Sequence, residues 1–111
     1  METSLAQYKH CDLAKVSGRV DSSTAPKFAD CLNQITENGR YKIVIDLSEV
    51  QFLSSAGLRV LISTQKNCKR YNRGEVALAA VPANILAVLD LAGFTSLFKI
   101  YDDVITAVAS F

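Results

Sequence analysis

The sequence has almost no excess of charge of either sign. Its 12 lysine and arginine residues are matched by 11 aspartate and glutamate residues, which leaves a net charge of +1 over 111 residues. Proteins that bind the phosphate backbone of nucleic acids normally carry an excess of basic residues. The cations that end the second predicted helix fit a solvated helix end, where they complement the dipole: Lys66, Lys69, Arg70 and Arg73. We therefore expect no nucleic-acid partner.

Catalytic and metal-binding groups are scarce. His10 is the only histidine, so a serine nucleophile lacks any other imidazole base, and a metal ion lacks a cluster of ligands. The segment Ser55-Ala56-Gly57 has neither the lysine nor the spacing of a Walker phosphate loop. The adjacent carboxylates Asp102 and Asp103 are better explained as a helix cap. We expect a protein that is not an enzyme and that holds neither a metal ion nor a cofactor.

Signals for oxidation, export or membrane insertion are also missing. The chain has an odd number of cysteines and no Cys-x-x-Cys spacing, which indicates reduced thiols packed in the interior. Its longest uncharged apolar stretch, residues 76–89, falls short of the ~20 residues that span a bilayer. The first residues lack the basic and apolar regions of a signal peptide. We expect a cytoplasmic protein with no membrane partner and with three free thiols: Cys11, Cys31 and Cys68.

The length and composition suit one globular domain over residues 1–111. Half of the residues are hydrophobic, which is enough to bury a core at this size. Alternation of apolar and polar residues in the first twenty positions predicts a hairpin that turns at residues 10–12. Later strands are predicted at residues 42–46, 75–79 and 98–101, the first of them followed by a polar connection over residues 47–51.

Helical patterns separate these strands. One follows Pro26 and ends at Asn38-Gly39, one begins at Ser54-Ser55, one runs from Pro82 to Gly93, and the last follows Asp102 or Asp103. In the second helix, apolar residues recur at helical spacing with Gln65 as the polar exception: Leu58, Leu61, Ile62 and Cys68. In the third helix, one apolar side is predicted: Ile85, Leu86, Leu89 and Ala92. Right-handed crossovers then predict an α/β fold with a mostly parallel sheet and an antiparallel N-terminal element.

Two serines mark the start of the second helix. The plain interpretation is that Ser54 or Ser55 caps the helix, because a serine oxygen can accept from the unpaired amides of the first turn. The alternative is that one of them is phosphorylated, which adds about −1.5 to −2 charges at neutral pH. The positive end of the helix dipole tolerates that charge. The spacing by itself leaves both interpretations open.

Three segments resemble one known family. The central one joins Asp46-Leu47-Ser48 to Ser54-Ser55-Ala56-Gly57-Leu58. Upstream lies Gly18-Arg19-Val20-Asp21, followed by Thr24-Ala25, and downstream lie residues 89–94 and 97–101. In this order and at this spacing, they resemble the bacterial anti-sigma factor antagonists, which are single-domain members of the STAS superfamily. The resemblance implies a fold whose helices pack mainly on one face of the sheet.

The same resemblance implies a partner-switching regulator. In that family the unphosphorylated antagonist binds an anti-sigma factor and frees the sigma factor. The anti-sigma factor is also an ATP-dependent serine kinase, which modifies the antagonist and so releases itself, and a phosphoserine phosphatase resets the cycle. By position the phosphoacceptor is Ser55, with Ser54 as the alternative, because many members carry aspartate where this chain has Ser54.

The resemblance also implies a contact surface around the phosphoacceptor. Asp21 has a second, plain interpretation as a loop or capping residue. The implied surface consists of Asp21, Ser22, Leu53, Ser54, Ser55, Ala56, Gly57, Leu58 and Arg59.

Two other functions stay open. One is a constitutive STAS adaptor subunit of a larger assembly or transporter, which is never phosphorylated. The other is a nucleotide-binding module that uses the start of the second helix.

Overall fold

One mixed five-stranded sheet organises the computed structural model, which describes residues 1–111. The spatial order of the strands follows the sequence, β1-β2-β3-β4-β5. β1 is antiparallel to β2 and the other neighbours are parallel. This confirms the predicted mixed α/β sheet. The strands are β1 (Glu2–Gln7), β2 (Asp12–Val20), β3 (Lys42–Leu53), β4 (Glu75–Ala79) and β5 (Lys99–Tyr101).

Four helices connect or follow these strands. α1 begins with Pro26 in its first turn, where a missing amide is tolerated, and ends before Gly39, whose φ of +77° suits glycine. No helix combines the length and the apolar character needed to cross a bilayer. The helices are α1 (Ala25–Glu37), α2 (Ser55–Lys69), α3 (Ala83–Leu91) and α4 (Val104–Ala109).

Two cores lie on opposite sides of the sheet because successive strand residues point to opposite faces. In β3, Ile43 and Ile45 belong to a cluster of 20 buried residues that also receives side chains from α1, α2 and α3. Val44, between them, belongs to a cluster of four that includes Ala107 of α4. Three helices therefore share one core and α4 covers the other face, which confirms the expectation of helices mainly on one face.

The third strand is longer than predicted. β3 continues to Leu53, whereas the sequence predicted a polar connection over residues 47–51. Leu47 and Val50 are buried, and pairing with β2 continues to the Val20 and Leu53 pair through two irregularities in register. Such irregularities disturb the apolar and polar alternation, and this is why the second half of the strand looked like a loop.

Smaller corrections concern α3 and the two elements after it. Ile85 and Leu89 are buried as predicted, but Leu86 is 38% exposed and Ala92 lies beyond the helix on the surface. The i, i+4 pair faces the core, and the half-buried Val88 packs beside it. β5 begins at Lys99, one residue later than predicted. Asp103, and not Asp102, caps α4 by accepting a hydrogen bond from the Thr106 amide at 2.7 Å.

The polar exception in α2 is a buried bridge between elements. Gln65 is 5% exposed. Its amide nitrogen donates to the carbonyl oxygens of Val76 (3.1 Å) and Leu97 (2.7 Å), and its oxygen accepts from the Val76 amide at 2.7 Å. One side chain thereby satisfies three backbone groups, as a buried amide must. α2 is tied to β4 and to the segment before β5.

Candidate functional site: the start of helix α2

Ser54 is the residue at which β3 ends and α2 begins. Its amide donates to the carbonyl oxygen of Val20 at 2.8 Å, so the pairing with β2 extends to the helix. Its backbone is extended, with φ −84° and ψ 174°, and its hydroxyl accepts from the Gly57 amide at 3.4 Å. Of the two serines that could cap the helix, the structure assigns Ser54.

Ser55 is the first helical residue and is exposed. Its hydroxyl forms no hydrogen bond within the chain. Its carbonyl oxygen accepts a long hydrogen bond, 3.5 Å, from the Nε of Arg59, which lies one turn further along the helix. The Ser55 hydroxyl is therefore accessible and has no structural task.

Gly57 lets the first turn of α2 lie directly against the strands. A Cβ atom on this residue would lie 2.5 Å from Cδ1 of Leu53 and 2.9 Å from Cγ1 of Val20. Real Cβ atoms do not approach other atoms so closely, so any larger residue would push the turn or its neighbours aside. Because Gly57 has no side chain, the first turn of α2 can pack close to the sheet, and this sets the distance of Ser54 and Ser55 from the sheet.

Asp21 closes the turn that leads from β2 into α1. One carboxylate oxygen accepts from the Ser23 hydroxyl (2.7 Å), the Ser23 amide (3.0 Å) and the Thr24 amide (3.2 Å). The Ser23 hydroxyl, followed by these amides, lowers the pKa of Asp21 from its ordinary value of 3.8. These bonds support the plain interpretation of Asp21 as a turn residue. A contact with a partner stays a prediction.

The nine residues expected at the contact surface do not all reach it. Ser22, Ser55 and Arg59 are exposed, and Asp21, Ser54 and Ala56 are half-buried. Three others lie beneath them, contrary to the expectation that they form the surface: Leu53 (3% exposed), Leu58 (8% exposed) and Gly57. They position the exposed residues and offer little area to another protein.

The sequence analysis missed a cation and an aromatic ring next to the serines. Arg19 and Phe52 pair across β2 and β3, with the guanidinium 4.4 Å from the ring centroid. Phe52 is 39% exposed. Each directly precedes a buried residue, Val20 or Leu53, at the end of a strand.

The surroundings of Ser55 carry positive charge. The first turn of α2 contains no acidic residue, and neither Arg59 nor Arg19 forms a salt bridge. The helix dipole adds a further positive contribution at this end. A dianionic phosphate on Ser55 would therefore cancel most of this local positive charge.

The three thiol groups are withdrawn from the surface. All three cysteines are free and buried, which confirms their predicted packing role. Burial raises the pKa of Cys68 to about 11. No group of three His, Cys, Asp or Glu side chains lies close enough to hold a metal ion.

Comparison with known proteins identifies related sequences. BtrV of Bordetella bronchiseptica is 29% identical over 99 residues, covering 89% of this chain and 84% of that protein. The anti-sigma-F factor antagonist RsfB of Mycobacterium tuberculosis is 28% identical over 105 residues, covering 94% and 86%. Both matches extend over most of each protein.

Solved structures share the fold. A Thermotoga maritima protein superposes with a TM-score of 0.90 at 21% identity, covering 97% of this chain and 92% of that one. SpoIIAA, a Bacillus cell fate determinant and anti-sigma factor antagonist, superposes with TM-scores of 0.79 in its unphosphorylated form and 0.76 in its phosphorylated form, both at 11% identity. The match to unphosphorylated SpoIIAA covers 99% of this chain and 98% of SpoIIAA. The match to the phosphorylated form covers 98% of each chain. The STAS domain family model matches residues 4–107, so the chain belongs to the STAS domain family.

Proposed function

We propose that this chain is an anti-sigma factor antagonist switched by phosphorylation of Ser55. The observation that carries the proposal is that the two serines have different structural roles. Ser54 is half-buried and caps α2, whereas Ser55 is exposed and its hydroxyl is unbonded. A phosphate on Ser55 would leave the cap intact, and the helix end would stabilise its charge by about 0.3–1 kcal/mol.

The relatives support the kind of partner. RsfB is named as an antagonist of an anti-sigma factor, and SpoIIAA has the same fold with and without phosphate. We infer that the unphosphorylated chain binds an anti-sigma factor that is also a serine kinase and thereby releases the sigma factor. The chain is then the kinase substrate and contributes no catalytic group. A phosphoserine phosphatase returns it to the binding form.

The charge around Ser55 explains how one group can abolish binding. Because Arg19 and Arg59 form no salt bridge, the surface suits an acidic patch on the partner. A phosphate placed there brings about −2 charges against that patch. Loss of ~3 kcal/mol is enough to weaken binding roughly a hundredfold, since each 1.4 kcal/mol is tenfold.

The test begins with the modification itself. The chain is incubated with a candidate anti-sigma factor kinase and ATP, and intact mass with site mapping reports one phosphate on Ser55. Ser55→Ala should gain none, and Ser54→Ala, the matched control, should still gain one. The absence of phosphate on the wild-type chain with every candidate kinase would favour the constitutive adaptor.

Binding is measured next by calorimetry with the anti-sigma factor. We expect the phosphorylated chain to bind about a hundredfold more weakly than the unmodified chain, with an unchanged fold by circular dichroism. Ser55→Ala should bind irrespective of kinase treatment. Equal affinity of both forms would contradict the switch.

A further inference from the structure

A concave site lies at the opposite end of β3 from the serines. It is a cavity of about 180 Å³ at the start of the strand. Its walls come from three segments that are distant in sequence: the β1–β2 turn, the α1–β3 connection and the residue before Gly74. Its lining residues are His10, Cys11, Gly39, Arg40, Tyr41, Lys42 and Arg73.

Arg40 is fixed in this wall by the β1–β2 turn. Its guanidinium donates to the carbonyl oxygens of Tyr8 (2.6 Å) and Cys11 (3.3 Å), and it forms a salt bridge with Asp12. The Asp12 side chain is largely buried. The Arg40 side chain is therefore held in one conformation in the cavity wall.

Arg73 is fixed independently by other elements. Its guanidinium lies 3.8 Å from the centroid of the Tyr41 ring, and it donates to the carbonyl oxygens of Arg70 (3.0 Å) and Asn67. Stacking and backbone bonds leave the position of this charge well defined. A ligand that meets two immobilised guanidinium groups incurs little further ordering cost.

The charges in this wall are not balanced by the protein. Arg40, Lys42 and Arg73 contribute three cations. Of the nearby carboxylates, Asp12 is engaged by Arg40, and Glu75, which lies across from Lys42 on β4, is engaged by Lys99. Arg73 and Lys42 form no salt bridge, and the exposed Lys42 amino group makes no hydrogen bond. The bonds of the two arginines are explained by their role in anchoring the loops. That role does not explain why Lys42 lies in the same wall, or why the positive charges of Lys42 and Arg73 have no carboxylate partner.

We propose that this cavity binds a small phosphate-class dianion, either inorganic phosphate or the terminal group of a phosphomonoester. Its volume is below the 300–1,000 Å³ of pockets that enclose drug-sized ligands, so the base and sugar of a nucleotide would remain outside. A planar monocarboxylate is satisfied by one guanidinium fork, whereas a tetrahedral dianion accepts from cations in several directions. The site is distant from Ser55 and does not depend on the proposed switch.

The test is an NMR titration of the ¹⁵N-labelled chain at constant ionic strength. The probes are inorganic phosphate, methyl phosphate and acetate. We expect saturable shifts of the amides of residues 39–42 and 73 with phosphate, and at least tenfold weaker binding of acetate. Equal binding of methyl phosphate shows that the site accepts a phosphomonoester, and its exclusion identifies free phosphate as the ligand.

Charge variants locate the site. Lys42→Gln should weaken phosphate binding at least tenfold with an unchanged fold, because Lys42 is exposed and unbonded, and Arg73→Gln should weaken it further. The matched control, Lys27→Gln, removes an exposed cation elsewhere and should leave binding unchanged. Non-saturating shifts, equal affinity for acetate, shifts centred on residues 54–57 or full binding by Lys42→Gln would each overturn the proposal.

Discussion

The two ends of helix α2 are built in opposite ways. At its start, the Ser54 hydroxyl contributes one long hydrogen bond of 3.4 Å and the Ser55 hydroxyl contributes none. In its last turns, Gln65 makes two buried hydrogen bonds to Val76 of β4 and a partly buried one to Leu97. Arg73 adds further bonds to carbonyl oxygens of the last turn and the segment after it. A helix anchored in this way can accept a change of charge at its free end without losing its place on the sheet.

The largest effect should come from breaking the anchored end. Gln65→Ala leaves the Val76 amide, the Val76 carbonyl and the Leu97 carbonyl without partners and opens a cavity. We expect the free energy of unfolding to fall by about 4 kcal/mol, measured by urea denaturation. Gln34→Ala, at an exposed position of α1, is the matched control and should change stability by less than about 0.5 kcal/mol. A similar small change for Gln65→Ala would show that the bridge is dispensable.

Crowding the free end should have an intermediate effect. In Gly57→Ala the new Cβ meets Leu53 Cδ1 at 2.5 Å. Overpacking outweighs the better helix propensity of alanine, so we expect a net loss of about 1 to 2 kcal/mol in unfolding free energy. In a Leu53→Ala background the same change should be clearly less destabilising, because the clashing atom is gone. Identical losses in both backgrounds, by urea denaturation, would argue against this contact.

Removing the cap should have a smaller effect, and removing its neighbour almost none. Ser54→Ala loses a long hydrogen bond to Gly57, which places the expected loss at the low end for N-caps, about 0.5 kcal/mol. Ser55→Ala should leave the free energy of unfolding unchanged within error, because the Ser55 hydroxyl is unbonded. Urea denaturation of the two variants side by side measures the difference. A larger loss for Ser55→Ala would reverse the assignment of roles.

The smallest effect should be a pH dependence near the free end. Because the pKa of Asp21 is lower in the folded chain than its ordinary 3.8, its contribution is fully present above pH ~4 and is lost as pH falls through the folded pKa. Asp21→Asn should therefore show a shallower decline of unfolding free energy between pH 5 and 2 than the wild type. Asp30→Asn, which removes an exposed carboxylate that accepts no hydrogen bond, is the matched control. Equal slopes for wild type and Asp21→Asn would refute the role of the Asp21 carboxylate in stabilising the turn.

Much of the fold could be predicted from local patterns. The bounds of β4 agree with the structure, and the hairpin, the glycine after α1 and the start of α2 were placed correctly. These features depend on periodicity and on residues with strong local preferences. The length of β3 could not be predicted in this way, because its second half pairs with β2 through irregular register.

The candidate site was predictable only in part. The pair Ser54-Ser55 stood out because serines before an apolar helical pattern indicate a helix start. The backbone conformation at Ser54 decided which of the two serines caps the helix. Arg19 and Phe52 were missed because their proximity depends on strand register, which is a relation between residues 33 positions apart.

By itself, the sequence determined the alternation of strands and helices, the presence of a single histidine, and the two serines at the start of a helix. These properties depend on neighbouring residues and on composition. Only the tertiary structure decided which hydroxyl is free, which residues of the expected surface are buried, and that fixed cations gather at the far end of β3. Such properties depend on exposure and on distances between remote segments, and they exist only once the helices are packed on the sheet.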